Sequence, residues 1–207
     1  GTDPALNFIG TTDDVDLVFH RDFVEAGRIG LDDTSFGRAS LRYNTGTGNS
    51  AFGSNAMGGF ITGFNSGIEN TAIGVNALLS NTTGSYNTAL GANSTLQNET
   101  GSSNVAIGSR TLYTNFAGSN ATAIGTNAMR YTNNTHTSFD NKNVAVGYEA
   151  LNGSINPASN TGNSNTAIGY QTLFSNSGGS SNIAIGNSAL YTNTTGSGNT
   201  AIGELAL

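Results

Sequence analysis

The residues able to do acid–base, nucleophilic or metal chemistry are few in this chain, and they do not cluster. The two histidines, His20 and His136, lie far apart, and there is no cysteine. Serine and threonine are abundant but belong to a repeating pattern, so no hydroxyl stands out with a base beside it as a nucleophile requires. His136, in Asn134-Thr135-His136-Thr137, would approach its copies on a symmetry axis in an oligomer and could hold a metal there, but a plain loop histidine is the preferred reading. Asp13, Asp14 and Asp16 form an oxygen-rich group of the kind calcium takes. They lack the spacing of the known calcium loops, and a solvated turn is preferred. After the first 43 residues, Glu69, Glu99, Asp140, Glu149 and Glu204 do not recur in phase, as a glycan-processing helix of strands would need. The pattern argues against an enzyme, and neither cofactor nor metal is expected.

Composition narrows the classes further. The chain of 207 residues carries a net charge of −6 with only seven Lys and Arg, so no basic stripe exists to neutralise phosphates and no nucleic-acid partner is expected. No run of 18 or more apolar residues is present, so no membrane span is expected. The lack of cysteine fits an extracellular bacterial or viral protein. The sequence begins without Met, shows no signal peptide and stops inside its own pattern, as expected of a piece of something longer.

That pattern is Asn-Thr-Ala-Ile-Gly. It stands cleanly at 70–74, 165–169 and 199–203, with variants between. Aligned on glycine, nine copies end at Gly53, Gly74, Gly91, Gly108, Gly125, Gly147, Gly169, Gly186 and Gly203, in steps of 21, 17, 17, 17, 22, 22, 17 and 17 residues. A period this short predicts a solenoid. Asn usually sits four before the glycine, Ala two before it in all nine copies, and a bulky apolar residue directly before it. Ala-Leu or a near relative follows, then a polar tract such as Ser80-Asn81-Thr82-Thr83-Gly84-Ser85. The reading is two short strands per coil. Side chains alternate across a strand, so the bulky residue and the Thr or Val three before the glycine share one face and Ala takes the other. Restriction to Ala is a space limit, Gly supplies a positive-φ turn, and Asn in register builds ladders between coils.

Residues 1–43 form an N-terminal β cap segment and 44–207 the repeat domain. The segment holds eight of the 13 acidic residues. Asn7 to Asp14 reads as a strand entering a turn. Asp16–Arg21 and Val24–Leu31 read as strands paired through a turn near Asp22. Ser35-Phe36-Gly37, with Ala39 and Leu41, faintly echoes the repeat and suggests a degenerate first coil.

One coil offers two or three medium apolar side chains for 17 residues. Burying each recovers about 1.5–3 kcal/mol, against roughly 1.5 kcal/mol lost per ordered residue. A second apolar face against neighbouring chains would close that gap. The stripe expected to do so is Ile73, Leu90, Ile107, Ile124, Val146, Ile168, Ile185 and Ile202, and a homotrimer is preferred.

The recurring unit resembles the head repeat of trimeric autotransporter adhesins, with its Ser-Val-Ala-Ile-Gly-like pentapeptide, from about Asn49 to Leu207. The longer unit, with Thr for Val and Asn-Thr-Thr-Gly-Ser tracts at 81–85 and 193–197, looks more like tail-fibre-type repeats of phages and Bacteroidetes-like bacteria. The resemblance implies a left-handed parallel β-roll of three intertwined chains, placed outside the cell on a bacterial surface or a virion-like particle. The function expected is a structural fibre or adhesin segment whose loops meet a cell-surface glycan or protein receptor. The alternative is a monomeric ice- or surface-binding solenoid with ranks of Thr, although Ser50, Val105, Val144 and Ile183 interrupt that rank. Insertions in solenoids map to one face, often the binding face. The candidate contacts in the three long steps are Phe60, Phe64, Tyr131, His136 and Phe139. Their other reading is cover for gaps between coils. Tyr113, Phe174 and Tyr191 form a partial aromatic stripe read as interchain packing.

Overall fold

The computed structural model describes residues 15–21, 24–59 and 64–207. Among the described residues it is all-β apart from one 3-10 turn at Pro157–Ser159. A hairpin of β1 (Leu17–Arg21) and β2 (Val24–Ile29) leads into a stack of three-residue strands: β3 (Thr34–Phe36), β4 (Ser50–Phe52), β5 (Thr71–Ile73), β6 (Thr88–Leu90) and β7 (Val105–Ile107). After the two-residue β8 (Gly118–Ser119) the stack continues with β9 (Thr122–Ile124). The two-residue β10 (Phe139–Asp140) then precedes β11 (Val144–Val146), β12 (Thr166–Ile168), β13 (Ile183–Ile185) and β14 (Thr200–Ile202). From β3 to β14 the stacked strands pair in parallel, one per coil, in the order β3-β4-β5-β6-β7-β9-β11-β12-β13-β14. This is a β-solenoid of ten coils. At about 4.8 Å per coil it is a rod roughly 43 Å long.

The echo at Ser35-Phe36-Gly37 is the first coil, since Thr34, Ser35 and Phe36 pair with Ser50, Ala51 and Phe52. The parallel ladder therefore starts at Thr34. The hairpin expected before it is present, with β1 and β2 antiparallel and β2 antiparallel to β3. Its turn at Asp22, and the strand read at Asn7 to Asp14, lie outside the described residues. Gly27 has a close-approach role: a Cβ there would lie 2.7 Å from the Phe36 ring. The bare backbone lets Phe19 on β1 reach over Gly27 to Phe36, ring centroids 5.5 Å apart, and Phe36 stacks in turn on Phe52 at 5.7 Å.

Two strands per coil were expected; apart from the two-residue β8 and β10, there is one. The Ala-Leu segment after each glycine is not extended. The residue two after the glycine (Asn55, Asn76, Glu149 and their equivalents) has φ near +50° to +58°, and so does the one four after it (Met57, Leu78, Leu112) at +46° to +51°. Alternation of left- and right-handed residues turns successive peptides to opposite ends of the rod. The N–H two after the glycine bonds the preceding coil (Asn76 to the Ser54 carbonyl, 2.9 Å). The N–H four after it bonds the following coil (Leu78 to the Ser94 carbonyl, 3.1 Å). Each left-handed residue costs about 1 kcal/mol, and these inter-coil bonds satisfy backbone groups that a strand would otherwise have paired.

The interior is narrow, as the invariant Ala foretold. Ala51, Ala72, Ala89, Ala106, Ala123, Ala145, Ala167 and Ala184 are fully buried, and Leu78, Leu112, Leu173, Met57 and Met129 fill the opposite wall. Ser94 and Thr95 replace Ala-Leu in the coil of Gly91 and split the apolar interior into two clusters. Ser94 stays satisfied by donating to the Ala106 carbonyl at 3.0 Å.

Asn ladders line the remainder. Asn70 Nδ2 donates to Asn49 Oδ1 (3.1 Å) and to the Gly84 carbonyl (3.0 Å), while its own Oδ1 accepts both the backbone N–H and Nδ2 of Asn87. Asp33 starts this ladder, accepting from the Asn49 N–H at 2.7 Å. Ala121 breaks it once. There Asn141, from a long step, supplies the oxygen that accepts from the Asn143 N–H at 3.2 Å. A second ladder, unforeseen in the sequence reading, runs through Asn65, Asn81, Asn98 and Asn115, and resumes at Asn176 and Asn193. Its signal was present, because Asn recurs seven after Gly74, Gly91, Gly108, Gly169 and Gly186.

Candidate functional site

The strands turn one column inward and two outward. From β4 to β12 the stacked strands read half-buried, buried, exposed or nearly so, and β13 and β14 exposed, buried, exposed, because three residues centred on a buried Ala leave both neighbours on the outer face. The outer column directly before the glycines is apolar throughout. Phe52, Ile73, Leu90, Ile124, Ile168 and Ile185 leave between 36% and 42% of their surface bare and Ile202 leaves 70%, while Ile107 and Val146 are half-buried. The companion column, three before the glycine, holds Thr34, Ser50, Thr71, Thr88, Val105, Thr122, Val144, Thr166, Ile183 and Thr200. The expected stripe is thus a continuous outer strip and takes no part in the coil's own interior. It is a contiguous row of exposed and half-buried apolar side chains on the outside of the rod.

The candidate loop residues do not form one site. Phe60 lies outside the described residues. Phe64, in the first long step, is 70% exposed. Tyr131, His136 and Phe139 share the second long step, which folds back along the rod so that β10 pairs in parallel with β8 of the coil before. The Phe139 ring sits over Gly118, 2.6 Å from where a Cβ would stand. His136 packs on Phe116 with centroids 4.9 Å apart, and its Nδ1 lies 2.8 Å from Glu99 Oε2. Arg130 covers the Tyr131 ring at 4.8 Å. These contacts fit the gap-covering reading of Tyr131 and Phe139; His136 remains exposed. The third long step carries the 3-10 turn and inserts Asn160, which donates to the Tyr131 and Ser154 carbonyls.

The aromatic stripe is partly intrachain: Phe174 and Tyr191 stack at 5.1 Å with planes 5° apart, whereas Tyr113 is separated from them by Arg130 and Asn152. A second stacked pair, Tyr148 and Tyr170 at 5.5 Å, lies beside Glu149, whose charge holds the Tyr148 hydroxyl above its ordinary pKa.

Asp13 and Asp14 lie outside the described residues, and Asp16 pairs with Arg28 at 3.4 Å. Among the described residues no three His, Asp or Glu converge as a metal would require, and no helix is long and apolar enough to cross a membrane. No protein-family model matches the chain, and neither curated proteins nor solved structures contain a match to it.

Proposed function

We propose that the chain is a segment of a trimeric extracellular fibre, a rod that carries attachment surfaces toward a cell-surface glycan or protein receptor, with a structural rather than a catalytic role. The observation that carries this reading is the apolar outer column. It is uncharged, in register over ten coils, and faces away from a core that Ala and Leu already fill. Solvent exposure of such a strip costs free energy that association of like strips recovers, and parallel copies around an axis bring equivalent rungs together.

The test is the solution mass of the 207-residue chain by light scattering. A mass of three chains is expected, falling to one chain in an Ile124→Lys, Ile168→Lys double variant whose far-ultraviolet spectrum is unchanged. A wild-type single-chain mass would sink the proposal. It would favour the second reading, a monomeric ice- or surface-binding solenoid, for which the in-register pairing of a Thr-rich column with an Ile-rich column speaks. Thermal hysteresis in the monomer would establish that alternative.

A further inference from the structure

Three of the chain's seven cationic residues, Arg28, Arg38 and Arg42, line one groove of about 480 Å³ where the hairpin meets the first coil, together with Glu25, Ala39, Ser40 and Leu41. In a chain of net charge −6 this places three of the seven cations on one wall, with Glu25 beside them. Arg28 is committed, to Asp16 at 3.4 Å and Glu25 at 3.2 Å. Arg38 and Arg42 are exposed and form no ion pair among the described residues; Arg42 rests on the Tyr43 ring at 5.2 Å.

The backbone adds an independent feature. In nine coils the N–H two after the glycine donates to the preceding coil, as Asn55 does to the Arg38 carbonyl at 2.8 Å and Asn93 to that of Val75 at 2.9 Å. The first coil has no preceding coil. Its equivalent N–H, on left-handed Ala39 (φ 58°), therefore points toward the hairpin side with no acceptor among the described residues. The N–H groups of Ser40 and Leu41 are taken by the Gly37 and Ala56 carbonyls, both at 3.1 Å, so Ala39 offers a single backbone donor that an oxyanion can occupy. Two unpaired guanidinium groups beside it supply bidentate donors for a carboxylate or phosphate. The groove has the volume of a small-ligand site.

We infer that this groove binds an oxyanion-bearing sugar, its carboxylate or phosphate on Arg38, Arg42 and the Ala39 N–H and its hydroxyls toward Glu25 and Ser40. The inference rests on the fibre reading above and names the chemistry of its receptor.

The full chain, labelled with ¹⁵N-alanine, is titrated separately with an oligouronate, a sugar phosphate and a neutral oligosaccharide. The expected result is a saturable shift of the Ala39 amide with one or both acidic ligands, at least ten-fold weaker binding in Arg38→Gln, Arg42→Gln, and no change in the control Arg110→Gln. Which acid binds identifies the charged group. No Ala39 shift with either acid, or equal binding of the neutral sugar, overturns the assignment. Solution mass and attachment to cells are measured on the same proteins. A trimer that attaches while the groove stays silent removes only the groove, whereas a groove that binds acid on a monomer that does not attach removes the fibre.

Discussion

At the scale of the residue, the glycine that ends each strand has two reasons to be glycine. Its φ lies between 126° and 139°, outside the range of L side chains, and it stacks directly on the next coil's glycine. At Gly108 a Cβ would lie 2.7 Å from the Gly125 carbonyl carbon and oxygen, so strain and clash act together. Gly108→Ala is expected to cost at least about 2 kcal/mol, seen as a lower urea midpoint. Asp33 makes the opposite case. It occupies the ladder position that Asn fills elsewhere, and burial raises its pKa above the ordinary value, in part offset by hydrogen bonds from the Asn49 N–H and from Asn44. With the folded pKa raised, its contribution is full below the ordinary value of 3.8 and is lost as pH rises through the folded one. Asp33→Asn keeps an oxygen for the Asn49 N–H and carries no charge. Its stability relative to wild type is therefore expected to increase from pH 3 to pH 7, as urea unfolding at the two values would report; a constant difference would refute this account.

At the scale of the element, the strands were readable and the segments between them were not. Asn-Thr-Ala-Ile-Gly states its own geometry: an Ala that tolerates only a methyl inside, bulky neighbours outside, and a glycine to turn. The Ala-Leu segment gives no such cue, because Leu and Met are poor candidates for left-handed backbone. They adopt it here only because the coils above and below each take one of the alternating N–H groups. The loops were legible only as insertions. That Phe139 would settle over Gly118 depends on a cleft created by a glycine 21 residues earlier, which the repeat alone does not single out. Phe139→Ala should leave the strands intact and free the 131–142 segment. Loss of about 1–2 kcal/mol of local burial would appear as roughly ten-fold faster proteolytic nicking there, with little change in global melting.

At the scale of the whole molecule, the period sufficed for a solenoid because coils of fixed length can stack only on their neighbours. The outward stripe was also legible, since a three-residue strand has only one inner position and Ala takes it. What the sequence concealed is the arginine-lined groove, for it arises at a discontinuity: the ladder has an end, the hairpin meets it there, and arginines four residues apart share the junction. Arg28, Arg38 and Arg42 stand in one N-terminal stretch of the sequence, but the sequence does not show that they share a wall. The groove's behaviour follows from that composition. Any oxyanion affinity there should fall steeply as ionic strength rises, because exposed guanidinium groups are screened within about 10 Å at 0.1 M salt, whereas the mass of the proposed trimer, which apolar contact would set, should not.

The backbone bonds of each coil run to the one before and the one after, with the His136–Glu99 contact the one described link that skips a coil, and the long axis of the rod runs along those bonds. A pull applied at the two termini therefore acts in series. The outermost rung bears the load, lets go by peeling, and passes it to the next. A 17-residue coil released to full length adds roughly 55–60 Å. An isolated chain drawn out in a force instrument would yield as an even sawtooth of low peaks, the longer steps marking the three insertions. Three chains braced along their outer columns would have to part together, converting a tape that unzips into a cable that holds.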